Sequence, residues 1–108
     1  MKTKSELPAC PVATAVELIG GKWKLLLLRN LRARPWRFNE LQRDLEGISQ
    51  KVLTDSLKQM IDDGLVYRHD YHERPMRVEY GLTEVGKKML PILDALADFG
   101  DYYKSISN

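Results

Sequence analysis

Cysteine is almost missing from this chain: Cys10 is its one thiol. That excludes an internal disulfide framework and any cysteine-rich zinc knuckle, and it suits a reducing compartment. Long hydrophobic runs are missing too. The longest uninterrupted apolar stretch is Leu25 to Leu28, whereas a membrane helix needs roughly twenty such residues. Met1 to Glu6 is polar and lacks the apolar centre of a secretory signal. These absences point to a cytoplasmic protein with no membrane partner. The only histidines, His69 and His72, stand three apart on a predicted strand, where odd spacing puts them on opposite faces and denies them a shared metal. Gly20-Gly21 ends a helix without the pattern of a phosphate-binding loop. With no nucleophile–base pair and no metal set, the sequence argues against an enzyme and asks for no cofactor.

What is present describes one domain, residues 1–108. A chain of 108 residues and 12.5 kDa is too short for two independent cores. Its 44% hydrophobic and 30% charged residues fit a folded globular protein and not a disordered one. The net charge of +2 is unevenly spread. Residues 1–50 carry nine Lys/Arg against five Asp/Glu, while the remainder is slightly acidic. Between Lys22 and Arg37 lie six basic residues and no acid. Such asymmetry suggests a polyanionic partner, although solvated helix faces also produce it.

Pro11 suits the first turn of a helix whose apolar positions 12, 15, 16 and 19 form a stripe. Lys22 to Leu31 predicts a second helix with Trp23, Leu26, Leu27 and Leu31 inward, left through Pro35. Phe38 to Leu45 reads as a short third helix. Gly47 then supplies a turn and Ser49 an N-cap for a fourth, Gln50 to Asp63, with Val52, Leu53, Leu57, Met60 and Ile61 on its buried side. Beyond Gly64 the apolar period falls to two. Leu65 to His72 and Arg77 to Leu82 predict a hairpin with Glu73 to Met76 at its tip. Thr83 caps a last helix to about Ile106, in which Pro91 should cause a kink.

Two short helices joined by a tight turn and followed by a hairpin define a winged helix-turn-helix. The expected class is mainly α with a small β-hairpin. The helix-turn-helix covers about 38–63 and the wing about 65–82, with added helices at about 11–19 and 83–106. The fourth helix is then the recognition helix. Its polar face shows Gln50, Lys51, Thr54 and Lys58, with Ser49 at its N-terminal end. Gln50 can pair with adenine, Lys51 with guanine or phosphate, and Thr54 can offer a hydroxyl or a methyl group. Ser49 can also meet phosphate at the helix N-terminus. Arg37 stands at the start of the third helix, and Arg74 and Arg77 flank the wing tip, placed for backbone or minor groove. Asp55, Asp62 and Asp63 repel phosphate, so the C-terminal half of the recognition helix should point away from the duplex. The bland alternative, a solvated helix face and a plain hairpin, would make this a protein-binding module.

In the last helix Val85, Met89, Ile92, Leu96, Phe99 and Tyr103 step by four and three, a heptad-like seam. A second set, Leu90, Leu93 and Ala97, flanks it. One set can serve the domain core while the other asks for a second copy; a single broad core-facing stripe is the alternative. A two-fold dimer would set its recognition helices roughly 34 to 36 Å apart, matching a pseudo-palindromic double-stranded operator.

Several stretches resemble the HxlR family of bacterial transcriptional regulators in order and spacing. They are Cys10-Pro11-Val12 through Gly20-Gly21-Lys22-Trp23, Arg37 to Leu41, Gly47 to Thr54, Asp63 to Val66, and Val78 to Thr83. Phe99-Gly100 departs from an expected Trp-Gly but keeps a bulky aromatic. The resemblance implies a homodimeric winged-helix repressor or activator with dimer contacts from the first and last helices, which adds Val12 and Val16 to the seam. It also implies that Cys10 senses quinones, aldehydes, hypochlorite or another thiol-reactive small molecule. Cys10 precedes a helix N-terminus near Lys2 and Lys4, an electropositive setting in which a thiol reacts. A small apolar residue packed under the last helix is the competing reading, and so is a regulator answering an apolar ligand or none.

Overall fold

A computed structural model describes residues 1–108. Helix α1 (Pro11–Ile19) opens with Pro11 in its first turn, where the missing N–H has no partner to lose. Helix α2 (Lys22–Leu31) follows directly. Helices α3 (Phe38–Asp44) and α4 (Gln50–Asp62) are joined by a turn at Gly47, whose φ of 90° lies in the left-handed region that glycine tolerates. Ser49 caps α4: its Oγ accepts from the Val52 amide at 3.1 Å. Strands β1 (Val66–Asp70) and β2 (Val78–Leu82) pair antiparallel, with Val66 opposite Leu82 and Arg68 opposite Tyr80. A single-turn helix α5 (Glu84–Lys87) and a long helix α6 (Leu90–Ser105) complete the chain. No helix is long and apolar enough to cross a membrane.

The core lies between α2, α3, α4 and the base of the hairpin. Leu27, Leu28 and Leu31 of α2 meet Leu41, Leu45 and Ile48, then Leu53, Leu57 and Met60 of α4, with Leu65, Val66 and Leu82 closing it. Asn30, the buried polar residue of α2, donates to Asp44 Oδ2 at 2.8 Å and accepts from Arg29, which satisfies its amide and ties α2 to α3. Gly86 is required by contact: a Cβ there would sit 2.1 Å from the Leu65 carbonyl oxygen, so α5 lies directly on the chain entering β1.

Four sequence expectations are corrected. The expected last helix from 83 to 106 is two helices, and Pro91 sits in the first turn of α6, where it starts a helix instead of kinking one. Val52 is exposed and not core, because it lies about 100° around α4 from Leu53, outside the stripe of Leu53, Leu57 and Met60. Leu28 is fully buried while Leu26 is only half-buried, so α2 is rotated relative to the expected stripe. Strand β1 ends at Asp70, whose carboxylate accepts from the His72 amide at 2.8 Å, and His72 takes a φ of 55° outside the strand.

One pairing has no period to announce it. Trp36, in the loop between α2 and α3, exchanges backbone hydrogen bonds of 2.9 and 2.8 Å with Tyr80. The wing is thereby stitched to the helix-turn-helix along the free edge of β2.

Candidate nucleic-acid interface

The N-terminal half of α4 stands clear of the core. Leu53, Leu57 and Met60 hold one side of the helix inward, which leaves Gln50, Lys51, Thr54 and Lys58 exposed on the other. Lys51 is tethered: its Nζ lies 2.8 Å from Asp55, and that hydrogen bond raises its pKa above the ordinary lysine value. At the far end of the helix Asp62 and Asp63 line a hollow with Glu6, Glu17, Lys2 and Lys24, so these two acids lie away from Gln50.

Cations without an acidic partner mark out the rest of the face. Arg37, Arg43, Lys58, Arg68 and Arg74 are exposed and enter no ion pair. A groove of about 550 Å³ between α3 and the wing is lined by Arg37, Asn39, Arg43, Met76 and Val78. A smaller one of about 250 Å³ runs between α4 and the wing past Thr54, Lys58, Arg68 and Tyr80. Phe38 borders both. Asn39, Arg43 and Arg68 were not among the residues expected from sequence. Strand register could have found Arg68, since it shares the inward face of the hairpin with Val66 and Asp70.

The run from Lys22 to Arg37 is not one basic patch. Lys22 stacks on Trp23, Arg29 reaches Asp44, Arg32 pairs with Asp94, and Arg34 pairs with Glu40 while lying over Trp36. Acidic partners from other parts of the fold neutralise three of its six cations, Arg29, Arg32 and Arg34.

Arg77 also differs from expectation. It lies on the outer face of the hairpin, away from α3 and α4, with its guanidinium carbon 3.9 Å from the Tyr71 ring centroid. It reaches Glu73 and Glu79 at 3.6 Å each. The Tyr71 hydroxyl donates to Glu79 at 2.8 Å, which holds the phenol above its usual pKa. Arg74, by contrast, is exposed at the tip and unpaired.

The α1, α5 and α6 surfaces carry most of the exposed apolar residues. Val12 is 71% exposed, Phe99 63% and Val16 58%, with Val85, Ile92, Leu96, Tyr102 and Tyr103 also exposed. Pro11, Val12, Ala15, Val16, Ile92 and Leu96 line an almost wholly apolar groove of about 530 Å³. Met89 is different: it is half-buried against the domain core. Cys10 is exposed at the N-cap of α1 and is not packed within its own chain. Lys2 is occupied by Glu17 at 3.3 Å.

An exposed, capped helix beside a basic groove and a stitched-on wing is the working part of a winged helix-turn-helix transcriptional regulator. The chain belongs to the HxlR-like helix-turn-helix family, whose model matches residues 18–108. It is 48% identical over 96 residues to an HTH-type transcriptional regulator of Methanothermobacter thermautotrophicus, covering 89% of this chain and 73% of that protein. It is 38% identical over 102 residues to the HTH-type regulator YdeP of Bacillus subtilis, covering 94% and 80%. The fold is similar to that of the redox regulator HypR in its reduced form, with a TM-score of 0.85 and 37% identity over 90% of this chain and 96% of that one. The reduced regulator YodB of B. subtilis superposes with a TM-score of 0.80 at 29% identity, over 94% of this chain and 100% of that one.

Proposed function

We propose that the chain acts in the cytoplasm as a homodimer that binds a pseudo-palindromic DNA operator. The observation that carries this reading is the exposed, Ser49-capped face of α4, with unpaired Lys58 and Arg68 in the groove between α4 and the wing and unpaired Arg37 and Arg43 in the groove between α3 and the wing. In it, Gln50, Lys51 and Thr54 read base edges and Ser49 lies at the backbone, while Arg37, Lys58 and Arg74 hold phosphate. Lys51 must exchange Asp55 for DNA to do so. Arg43, Asn39 and Arg68 extend the backbone contact along the two grooves. A second copy covers the apolar groove: Val12 and Val16 of α1 and Val85, Ile92, Leu96, Phe99 and Tyr103 beside α6 meet their counterparts across a two-fold axis. Met89 supports this seam from the core side.

Binding to a duplex selected from a random pool, followed by fluorescence anisotropy, tests the DNA contact. Lys58→Ala should weaken all sequences nearly alike, and Gln50→Ala should relax preference at one position in each half-site by about 1 to 3 kcal/mol. Neutralising about eight phosphates gives a log–log salt slope near −7. Equal affinity for the selected duplex and for scrambled DNA would sink the operator reading.

Cys10 is the proposed sensor within this regulator. Its exposure at the head of α1 supports that role, as does the likeness to redox regulators. With one thiol per chain, two Cys10 thiols lose two protons and two electrons to an oxidant such as diamide and join across the dimer, or a single thiol adds to a quinone carbon. Mass spectrometry of Cys10 beside DNA affinity, for wild type and Cys10→Ser, decides it. An identical response from both proteins leaves a regulator of the same kind without redox sensing, one that answers an apolar ligand or none.

A further inference from the structure

The hairpin has two unlike faces. Strand pairing puts Val66, Arg68, Asp70, Val78, Tyr80 and Leu82 on the side toward α3 and α4, and it puts Tyr67, His69, Glu79 and Gly81 on the other. The Tyr71 amide donates to the Arg77 carbonyl at 2.9 Å, which carries the same alternation to the root of the tip. On the outer face the side chains form a closed set. His69 meets the Tyr71 ring edge-on at 4.3 Å, Arg77 lies over that ring, and both Arg77 and the Tyr71 hydroxyl converge on Glu79. Glu73 takes the other side of the Arg77 guanidinium. Arg77 Nε is buried with no hydrogen-bond acceptor, as expected of a guanidinium used for stacking and not extended toward a ligand.

We propose that Arg77 is a positioning residue and not a DNA contact: with Tyr71 and Glu79 it latches the outer face of the wing and so holds the tip at the DNA backbone. Arg77 then acts through Arg74, the exposed cation three residues away, and through Met76, which stands 74% exposed at the mouth of the groove beside α3. Without the latch the tip keeps its residues but samples many directions, and the entropy of ordering it falls on binding. This inference rests on the DNA-binding reading above.

Plain electrostatics and the latch predict opposite signs for one substitution. Glu79→Val removes a negative charge close to the wing tip and keeps strand propensity, so charge alone calls for tighter DNA binding. The latch calls for weaker binding, by about five- to tenfold, since a cation–π contact and its supporting pairs together are worth roughly 1 kcal/mol or more. Arg77→Lys keeps the charge but not the planar fork and should weaken binding similarly. In a cycle with Arg74→Ala the losses should fall short of multiplying, because part of what the latch delivers is the Arg74 contact. Thermal unfolding confirms that each variant folds, and footprinting should show lost protection only at the flanks, where the wing lies. Tighter or unchanged binding by Glu79→Val, full retention by Arg77→Lys, or multiplicative losses in the cycle would each overturn the latch. Failure of the wild type to prefer its selected duplex marks a different fault, in the DNA-binding reading itself.

Discussion

Helices α2 and α6 have both been given leucines and aromatics, and the fold treats them in opposite ways. Leu27, Leu28 and Leu31 of α2 are almost wholly shielded, and even its Asn30 is buried. Helix α6 is longer, yet none of its residues is buried. The difference lies in their surroundings. Helix α2 is packed by α4, α6 and the hairpin, whereas α6 leans on α2 through Leu90 and Leu93 and the Arg32–Asp94 pair, leaving its other sides open. Apolar content therefore does not decide burial; the number of neighbours does. The apolar side that α6 leaves open is the surface that the proposed second copy would cover.

Substitutions sharpen this contrast. Leu27→Ala should have the largest effect, lowering stability by about 2 to 5 kcal/mol at any protein concentration, since it empties a filled core site. Chemical unfolding at two concentrations checks it, and a loss that vanished on dilution would put α2 in the interface instead. Phe99→Ala should behave the other way. At concentrations where the chain is monomeric its unfolding should match the wild type, while the dimer dissociation constant should rise by a factor of ten or more, as for an interface anchor worth about 2 kcal/mol. Sedimentation measures that constant, and an unchanged value would remove Phe99 from the seam.

The smallest effect belongs to the link between the two helices. Arg32 grips Asp94 with both nitrogens, the second at 3.0 Å, and holds the Asp94 carboxyl below the usual aspartate pKa. A carboxylate with a lowered folded-state pKa contributes stability that is present above its unfolded value and is lost as pH falls through the folded one. The wild type should thus lose slightly more stability than Asp94→Asn on acidification below about pH 4. The pair is exposed, so the difference should be small and shrink in salt. Parallel acid curves for the two proteins would show that α6 is held by its apolar contacts alone.

The parts of the fold that could be read from sequence are those governed by neighbours in the chain. Ser49 announces α4 and Thr83 announces α5 because a hydroxyl cap needs only the next turn, and Gly47 marks its own turn. The order of helices, turn and hairpin then follows. What could not be read depends on distant residues. The cations from Lys22 to Arg34 look like a patch until Asp44, Asp94 and Glu40 arrive from other elements to occupy three of them. Arg77 stands alone in the sequence, and its place over Tyr71 emerges only when the hairpin closes. Asn39 and Arg43 come together only when α3 and the wing flank one groove, and Arg68 only when α4 and the wing flank another. Val52 is apolar but lies off the stripe of Leu53, Leu57 and Met60 that the core covers.

The bridge between Trp36 and Tyr80 constrains how such a protein can respond to a signal. It ties the hairpin to the loop entering α3, so in the proposed reading the helix-turn-helix and the wing form one tile. In the proposed dimer an event at the α1–α6 seam would leave the letters each tile reads unaltered and would change only the stride between the two tiles.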